Sequence, residues 1–365
     1  MTKTNWTKEE IVAIYNKPLL ELVFEAATVH RQFHNPKEVQ ISTLLSIKTG
    51  GCPEDCAYCP QAARYHTDIE TNDLMTVSQV KAQALRAKAT GSSRVCMGAA
   101  WRNVEDGPEF DQVLDMVRTI NHLDMEVCCT LGMLSENQAK RLAEAGLYAY
   151  NHNLDSSEEY YKEIISSRGF GDRLATLQNV RKTNVTVCSG GIIGMGESIE
   201  DRAGMLHVLA SLSPQPESVP INALVAVEGT PLEDQKVTPI WDMIRMVATT
   251  RIVLPNSTVR LSAGRTEMSQ EGQAFCFLAG AGSIFAGDKL LTTPNPDVNE
   301  DMDLFKILGL TPMKPYAKGA QPTPLTPEEI TPASDGRTKW SRPGHRIEAN
   351  VEATKKANKK RKEAL

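Results

Sequence analysis

Three cysteines stand within eight residues, Cys52-Pro53-Glu54-Asp55-Cys56-Ala57-Tyr58-Cys59, directly after the apolar run 41–47. Thiolates at this CxxxCxxC spacing can hold three irons of a cubane iron–sulfur cluster. A four-iron cluster takes four protein ligands. A three-cysteine loop therefore leaves one iron open to a small molecule, much as a catalytic zinc keeps an open position. Gly50-Gly51 lets the backbone come close, and Pro53 and Pro60 stiffen the loop. A structural zinc is the competing reading. It wants four ligands, usually from separated cysteine pairs, and the nearest fourth donor is His66.

A second set is dispersed. Cys96, Cys128, Cys188 and Arg260 lie in or at the ends of apolar runs, 32, 60 and 72 residues apart in turn. A βα unit in a 250-residue barrel takes about 31 residues. The gaps thus place the four on strands 2, 3, 5 and 7 at similar heights, where inward side chains form a layer. Any one of these cysteines alone reads as a small buried hydrophobe. Together, in phase and below a cluster loop, they can surround a second cluster. Cys128 and Cys129 are strand neighbours and face opposite sides; alternation does not say which enters the barrel. Cys276 falls in the helical run 273–279 and reads as core.

The elements that must carry these residues alternate. Apolar runs at 41–47, 94–98, 125–131, 147–154, 185–190, 218–224, 258–262 and 283–286 are separated by helical patterns at 77–90, 110–123, 136–145, 173–183, 199–212, 240–253 and 269–279. Eight parallel βα units over about 250 residues make an α/β fold of the (β/α)8 TIM-barrel type; a doubly wound open sheet is the alternative. Helical patterns at 8–15 and 18–34 form an N-terminal extension, residues 1–40, expected to cap the barrel bottom or, at 21–27, to form an interface. The barrel is expected over 41–316. Residues 317–365, Pro/Thr-rich and then basic, read as a flexible, solvated tail.

The chain has 365 residues, 41% hydrophobic and 23% charged, with net charge −5. That is an ordinary globular balance. It gives no reason to expect nucleic-acid or membrane partners, and no apolar run nears the roughly 20 residues of a membrane helix. With no signal or transit pattern at its start, the chain is expected to be cytoplasmic. Eight cysteines in a cytosolic chain point to metal or catalytic use rather than disulfides.

Polar groups cluster at the ends of strands, where barrel enzymes place their sites. Asn151, Asn153 and Asp155 share a face by alternation and suit hydroxyls and ureas, while His152 packs on the other face. The loop 189–197 is Gly-rich but lacks the Lys-Ser/Thr of a P-loop. Thr292 and Thr293 sit in the loop after strand 8, where anions often bind. Arg173, at a helix start, reads as a surface arginine or an anion partner.

CxxxCxxC with Tyr58 before the last cysteine resembles the signature of the radical S-adenosylmethionine (SAM) superfamily. The strings Leu44-Leu45-Ser46-Ile47-Lys48-Thr49-Gly50, Tyr150-Asn151-His152-Asn153-Leu154-Asp155 and Val259-Arg260-Leu261-Ser262-Ala263-Gly264-Arg265 resemble the biotin synthase family, over about residues 6–312. The resemblance implies a [4Fe–4S] cluster on Cys52, Cys56 and Cys59, with SAM chelated by its open iron. It implies a [2Fe–2S] cluster on Cys96, Cys128, Cys188 and Arg260, and so selects Cys128 over Cys129. The arginine is an unusual ligand, because guanidinium is normally protonated.

It further implies that Asn153 and Asp155 hold the SAM ribose and that Arg173 pairs with the SAM carboxylate. Gly190 and Gly191 would approach the SAM amino-acid part, with Ile192 near the adenine. Asn151, Asn153 and Asn222 would hold the ureido ring of dethiobiotin, and backbone at Thr292 and Thr293 its carboxylate. The implied activity is sulfur insertion, the last step of biotin biosynthesis. A 5′-deoxyadenosyl radical abstracts hydrogen from dethiobiotin, and the [2Fe–2S] cluster donates the sulfur. The implied partners are a low-potential electron donor such as a flavodoxin, iron–sulfur assembly machinery and a second copy in a homodimer. The other readings are a different radical SAM enzyme on the same barrel, which would not need the inner four residues, and a non-catalytic electron-transfer protein, which would not cleave SAM.

Overall fold

Apolar strands and capped helices alternate along a chain whose computed structural model describes residues 3–287 and 289–324. Helices α1 (Lys8–Tyr15) and α2 (Leu19–Phe33) come first. They are followed by β1 (Glu38–Lys48), α3 (Val77–Ala89), β2 (Arg94–Ala99), α4 (Pro108–Asn121), β3 (Glu126–Thr130), α5 (Glu136–Glu144) and β4 (Ala149–Asn151). Then come α6 (Glu158–Ile164), α7 (Phe170–Arg181), β5 (Thr186–Cys188), β6 (Gly191–Ile193), α8 (Ile199–Ser211), β7 (Ser218–Ala223), α9 (Ile240–Val253) and β8 (Thr258–Leu261). The last are α10 (Gln270–Leu278), β9 (Ala281–Phe285), α11 (Val298–Leu308) and β10 (Thr311–Pro312). Hydroxyl or carboxylate N-caps at Thr7, Thr76, Ser135, Ser157, Ser198, Ser269 and Asp297 start most of the helices, each satisfying an otherwise orphaned backbone N–H.

All strand pairs are parallel, and β1 pairs both β2 and β9. The sheet therefore closes into the expected eight-stave barrel rather than an open sheet. β5 and β6 are one stave interrupted at Ser189-Gly190; both lie against β7, at Cys188↔Ser218 and Gly191↔Ile221. Among the described residues no helix is long and apolar enough to cross a membrane.

The hydrogen-bonded register explains how dispersed residues meet. In a barrel with a total shear of eight, a horizontal layer steps up about two residues for every two strands crossed. Following the paired residues with that step, Ser42, Cys128, Cys188 and Arg260 form one closed layer from alternate staves. Cys96, Asn151, Pro220 and Phe285 form the interleaved layer from the others, so Cys96 lies in the layer adjoining that of Cys128, Cys188 and Arg260 and not, as expected, in the same one, because it stands on an even-numbered stave. Cys129 faces outward into the core between strands and helices, which also holds Cys276, whereas Cys96 and Cys128 belong to an interior cluster with Tyr148 and Phe285.

The N-terminal helices do not cap the barrel bottom as expected. α1 packs on α8 and α9, and α2 on α9 and α10, because the apolar face of Leu22, Val23 and Ala26 finds a matching face on the helical ring. His30 and His34, at the end of α2, approach the lower rim, where His34 Nε2 lies 2.9 Å from the Pro255 carbonyl. Residues 311–324 cross the bottom instead. β10 pairs the start of β1, Tyr316 O–H donates to the Met125 carbonyl at 2.6 Å and its N–H to Glu126 Oε1 at 2.9 Å. The first residues of the expected tail are thus placed by hydrogen bonds. The rest, including the basic run 355–362, lies outside the described residues. α6 and α11 were not expected, although α11 carries Val298, Met302 and Phe305 at helical spacing.

Candidate active site

The cysteine loop is held by its neighbours before it holds anything. Cys52 N–H donates to the Gln61 carbonyl at 3.0 Å and Cys59 N–H to the Cys56 carbonyl at 2.9 Å, while Ala57 N–H reaches Ile164 O, in the α6–α7 region, at 2.9 Å. Asp55 ties that same region to the loop. Its carboxylate accepts from the backbone N–H groups of Ser166 and Ser167 at 3.0 and 2.9 Å, from both serine hydroxyls, and from Arg64 at 3.2 Å. Burial alone would raise its pKa, but the bonds from Ser166 and Ser167 hold it well below the usual carboxylate range. Buried Glu54 lies between Arg102, at 3.5 Å, and Arg168, at 3.7 Å. Arg168 Nη2 also stands 3.8 Å from Cys56 Sγ. Burial pushes the Cys56 thiol up to about 11 and Cys59 up to about 12. A cationic iron cluster reverses that cost, since a coordinating thiol is deprotonated outright.

The polar rim stands at the top of β4 and the split stave. Asp155, at φ +68°, points its carboxylate at Tyr58 O–H, 2.8 Å away, and at the Arg173 guanidinium, with which it forms a buried ion pair. Arg173 Nε donates to Tyr161 Oη at 3.0 Å. Asn151 Nδ2 donates to Thr130 Oγ1 at 3.2 Å, Asn153 Oδ1 accepts from Gly190 N–H at 3.2 Å, and Asn222 bridges Gly191 O and Ala263 N–H at 2.9 and 3.2 Å. The two glycines answer a packing need. A Cβ on Gly190 would lie 2.0 Å from Pro220 O, and one on Gly191 2.1 Å from Met205 Sδ.

Deeper, Cys96 and Cys128 are directly paired across β2 and β3. Burial opposes ionisation of Cys96, but the hydrogen bond with Cys128 and the Arg260 and Arg94 charges outweigh it and pull the thiol down. Cys128 is pushed well up, first by that same bond and then by burial. Cys188 is raised by burial, against the Arg260 charge. Arg260 is fixed by Ser283 Oγ at 2.9 Å, Ser42 Oγ at 3.1 Å and Gln40 Oε1 at 3.3 Å, and lies over the Phe285 ring.

One cavity of about 330 Å³ joins the two sets, a size suited to small molecules. Its wall includes Cys52, Cys56, Cys59, Cys96, Cys128, Arg260, Asn151, Asn153, Asp155, Arg173, Ile192, Asn222, Thr292 and Thr293. Cys188, Gly190 and Gly191 lie behind that wall. Cys188 is buried beside Ser218 and Arg260. His152 packs near Tyr150, as expected, yet also reaches the cavity, because β4 ends at Asn151 and alternation lapses there. Tyr58, Arg168 and Trp101 also belong to the site. Tyr58 was visible in the motif, but Arg168 and Trp101 carried no sequence signal.

The donor set fits iron–sulfur clusters. Among the described residues no three Cys, His, Asp or Glu side chains converge on a single ion. A cubane instead spreads its thiolates over separate irons, so cysteines ringing a cavity suit it, and thiolates are the usual ligands of such clusters.

Residues 46–209 match the Radical SAM superfamily, and residues 220–311 match the Biotin and Thiamin Synthesis associated domain. The chain is 75% identical over 355 residues to a biotin synthase of Flavobacterium psychrophilum, covering 97% of this chain and 98% of that one. It is 59% identical over 322 residues to a biotin synthase of Nostoc sp., covering 87% and 96%. Among solved structures, methylornithine synthase superposes with a TM-score of 0.70 at 16% identity, over 84% of this chain and 94% of that one; this likeness concerns the fold.

Proposed function

The chain belongs to the biotin synthase family within the radical SAM superfamily, and from that premise we propose that it converts dethiobiotin to biotin by sulfur insertion, with residues 41–316 as the catalytic unit. The observation that carries the reading is the stacking of one cysteine set above another across a single cavity.

In this reading Cys52, Cys56 and Cys59 hold a [4Fe–4S] cluster, and Cys96, Cys128, Cys188 and Arg260 hold a [2Fe–2S] cluster. When bound, these groups supply electron-triggered SAM cleavage to a 5′-deoxyadenosyl radical above and a sulfur source below. The protein's own part is placement and water exclusion. Asp155 and Asn153 orient the SAM ribose. Arg173, already charge-paired with Asp155, presents its remaining guanidinium edge to the SAM carboxylate. Backbone at Gly190 and Gly191 and the side chain of Ile192 bound the SAM pocket. Asn151, Asn153 and Asn222 meet the ureido ring, and Thr292 and Thr293 the substrate carboxylate. In this reading the substrate would lie between the two cysteine sets, in the one cavity whose wall they share. An external low-potential donor, such as a flavodoxin, supplies the electron, and the enzyme acts as a homodimer.

The test is anaerobic reconstitution with iron and sulfide, Mössbauer spectroscopy and a product assay with SAM and dethiobiotin. A four-iron and a two-iron signal, with biotin formed as the two-iron signal decays, is the expected result. A four-iron signal alone, with SAM cleaved and no biotin, would overturn the sulfur-donor assignment.

A further inference from the structure

One arginine beside the upper loop is buried with a donor unused. The Arg168 side chain is 6% exposed, lines the cavity, and has its Nε buried with no hydrogen-bond partner among the described residues. Its Nη2 stands 3.8 Å from Cys56 Sγ, within reach of a sulfur acceptor, and its Nη1 3.7 Å from Glu54 Oε1. The placement is imposed from both sides. Asp55, next to Cys56, accepts from the backbone N–H groups of Ser166 and Ser167. The two residues before Arg168 are thus tied to the residue before the thiol, and the guanidinium cannot leave the sulfur without breaking those bonds.

The charges around the loop are unevenly placed. Arg64 pairs with Asp55, and Arg173 with Asp155. Glu54, 2% exposed, is shared between Arg168 and Arg102, and the Arg102 side chain is 41% exposed. Solvent and salt screen Arg102 but reach Arg168 and Glu54 far less. Burial is the first obstacle to a thiolate at Cys56. Arg168 is the first charge to favour it, ahead of Arg173, while Asp155 and Glu54 act against it. Burial also raises Cys52, where the Glu54 charge again opposes the thiolate and Arg168 favours it. Two buried side chains of opposite sign therefore act on two of the three loop cysteines.

We propose that Arg168 and Glu54 set the reduction potential of the cluster on Cys52, Cys56 and Cys59, Arg168 raising it and Glu54 lowering it. The inference rests on the [4Fe–4S] assignment proposed above. Reduction takes one electron from the external donor and makes the cluster more negative by one charge. A buried guanidinium at a ligand sulfur stabilises that form, both by its charge and by its N–H groups, and these are among the factors that fix such potentials. A buried carboxylate beside the same ligands disfavours it. Arg168 acts here through Cys56, as a tuning residue. Each charge offsets part of the other, so removing either one unmasks its partner.

The test is a redox titration of the full-length chain, reconstituted anaerobically with iron and sulfide and kept free of SAM. Dithionite and viologen mediators poise the sample, and electron paramagnetic resonance counts the reduced cluster. At one fixed potential, Arg168→Met should lower the ratio of reduced to oxidised cluster about tenfold, equivalent to about 59 mV for a one-electron couple. Glu54→Gln should raise that ratio about tenfold. Arg168→Lys keeps the charge without the planar fork and should stay within about threefold of the unaltered chain. A loop merely loosened by substitution would not give opposite signs. Shifts of the same sign, ratios within about twofold of the unaltered chain for both Arg168→Met and Glu54→Gln, or a lysine shift as large as the methionine one would overturn the proposal. If Arg168→Met takes up no four-iron cluster by Mössbauer spectroscopy, Arg168→Gln takes its place under the same criteria. An unaltered chain without a four-iron signal would sink the proposed function and the tuning with it. A four-iron cluster whose potential ignores both substitutions would overturn the tuning alone.

Discussion

At the upper mouth, Cys52, Cys56 and Cys59 come from one loop, and two of them are partly exposed. In the barrel, Cys96, Cys128 and Cys188 come from three strands, and all are buried. The loop is shaped by bonds that a few neighbouring residues supply, above all Asp55 with Ser166 and Ser167. The inner set, drawn from two adjoining layers, is shaped by the stagger of the whole barrel, and no single contact sets it. A site made by a loop can be lost locally with the scaffold intact. A site made by register shares the scaffold's own stability and tolerates little change in strand length.

The sharpest way to separate the two regions is to remove one thiol from each. Cys56→Ala should reduce SAM-dependent 5′-deoxyadenosine formation on the order of 10³-fold or more, as removal of a catalytic group does, with the two-iron Mössbauer signal retained. Retained SAM cleavage would contradict the loop's role. Cys128→Ala should do the reverse, keeping the four-iron signal and SAM binding while the two-iron signal and biotin disappear. Its neighbour Cys129→Ala faces the helices and should keep both signals, at a stability cost of about 1 kcal/mol in urea unfolding. Loss of the two-iron signal in the Cys129 variant instead would mean the strand faces are reversed.

Between the regions stands the Asp155–Arg173 pair. Asp155→Asn leaves a buried guanidinium without its counter-charge and should cost about 3–5 kcal/mol of stability. It should also weaken SAM binding, measured by titration of the reconstituted protein. Unchanged SAM affinity would remove Asp155 from the proposed ribose site.

The smallest effect distinguishes top from bottom by pH. Buried His30 is pushed down to about 2, by burial first and then by Arg251, Lys318 and Arg31. A histidine whose folded pKa lies below its unfolded value leaves stability whole above about pH 6.5 and lowers it as pH falls below that. Between pH 6.5 and 5.5 the loss should be about 1 kcal/mol for this residue, and His30→Phe should remove that share of the dependence in urea unfolding at the two pH values, leaving the shares of His34 and His152, which burial also pushes well down. Asp55 in the upper loop is depressed instead. Its contribution persists above the ordinary carboxylate range and fades only as pH falls through and below it. An identical pH slope in the His30 variant would refute the assignment.

How much could be read beforehand follows the same division. The loop motif was legible because its three cysteines and Tyr58 are adjacent in sequence. The inner layer was legible only through its period, and alternation could not choose between Cys128 and Cys129; the interior cluster identifies Cys128 as the inward one. Arg168 was invisible, because its place near Cys56 depends on how the α6–α7 connection folds back onto the loop. Residues 317–324, which run across the barrel bottom, were read as tail because Pro and Thr at 321–327 suggest extended chain. Nothing local in sequence reveals that Tyr316 and Gln321 find partners on β3 and α4. The N-terminal helices were misplaced for the same reason: an amphipathic face says that it must be covered, not by what.

The closure of the barrel by β9 also has a consequence for the order of synthesis. β9, which closes the barrel onto β1, and the segment carrying Tyr316 are among the last elements to leave the ribosome, and domains assemble as the chain emerges, N-terminal parts first. Until β9 emerges, the strands bearing Cys96, Cys128 and Cys188 lack the partner that closes the sheet onto β1. The barrel can close only once β9 has emerged to pair β1, so the nascent chain passes through a stage in which its inner thiols are accessible without any part of the finished protein having to move.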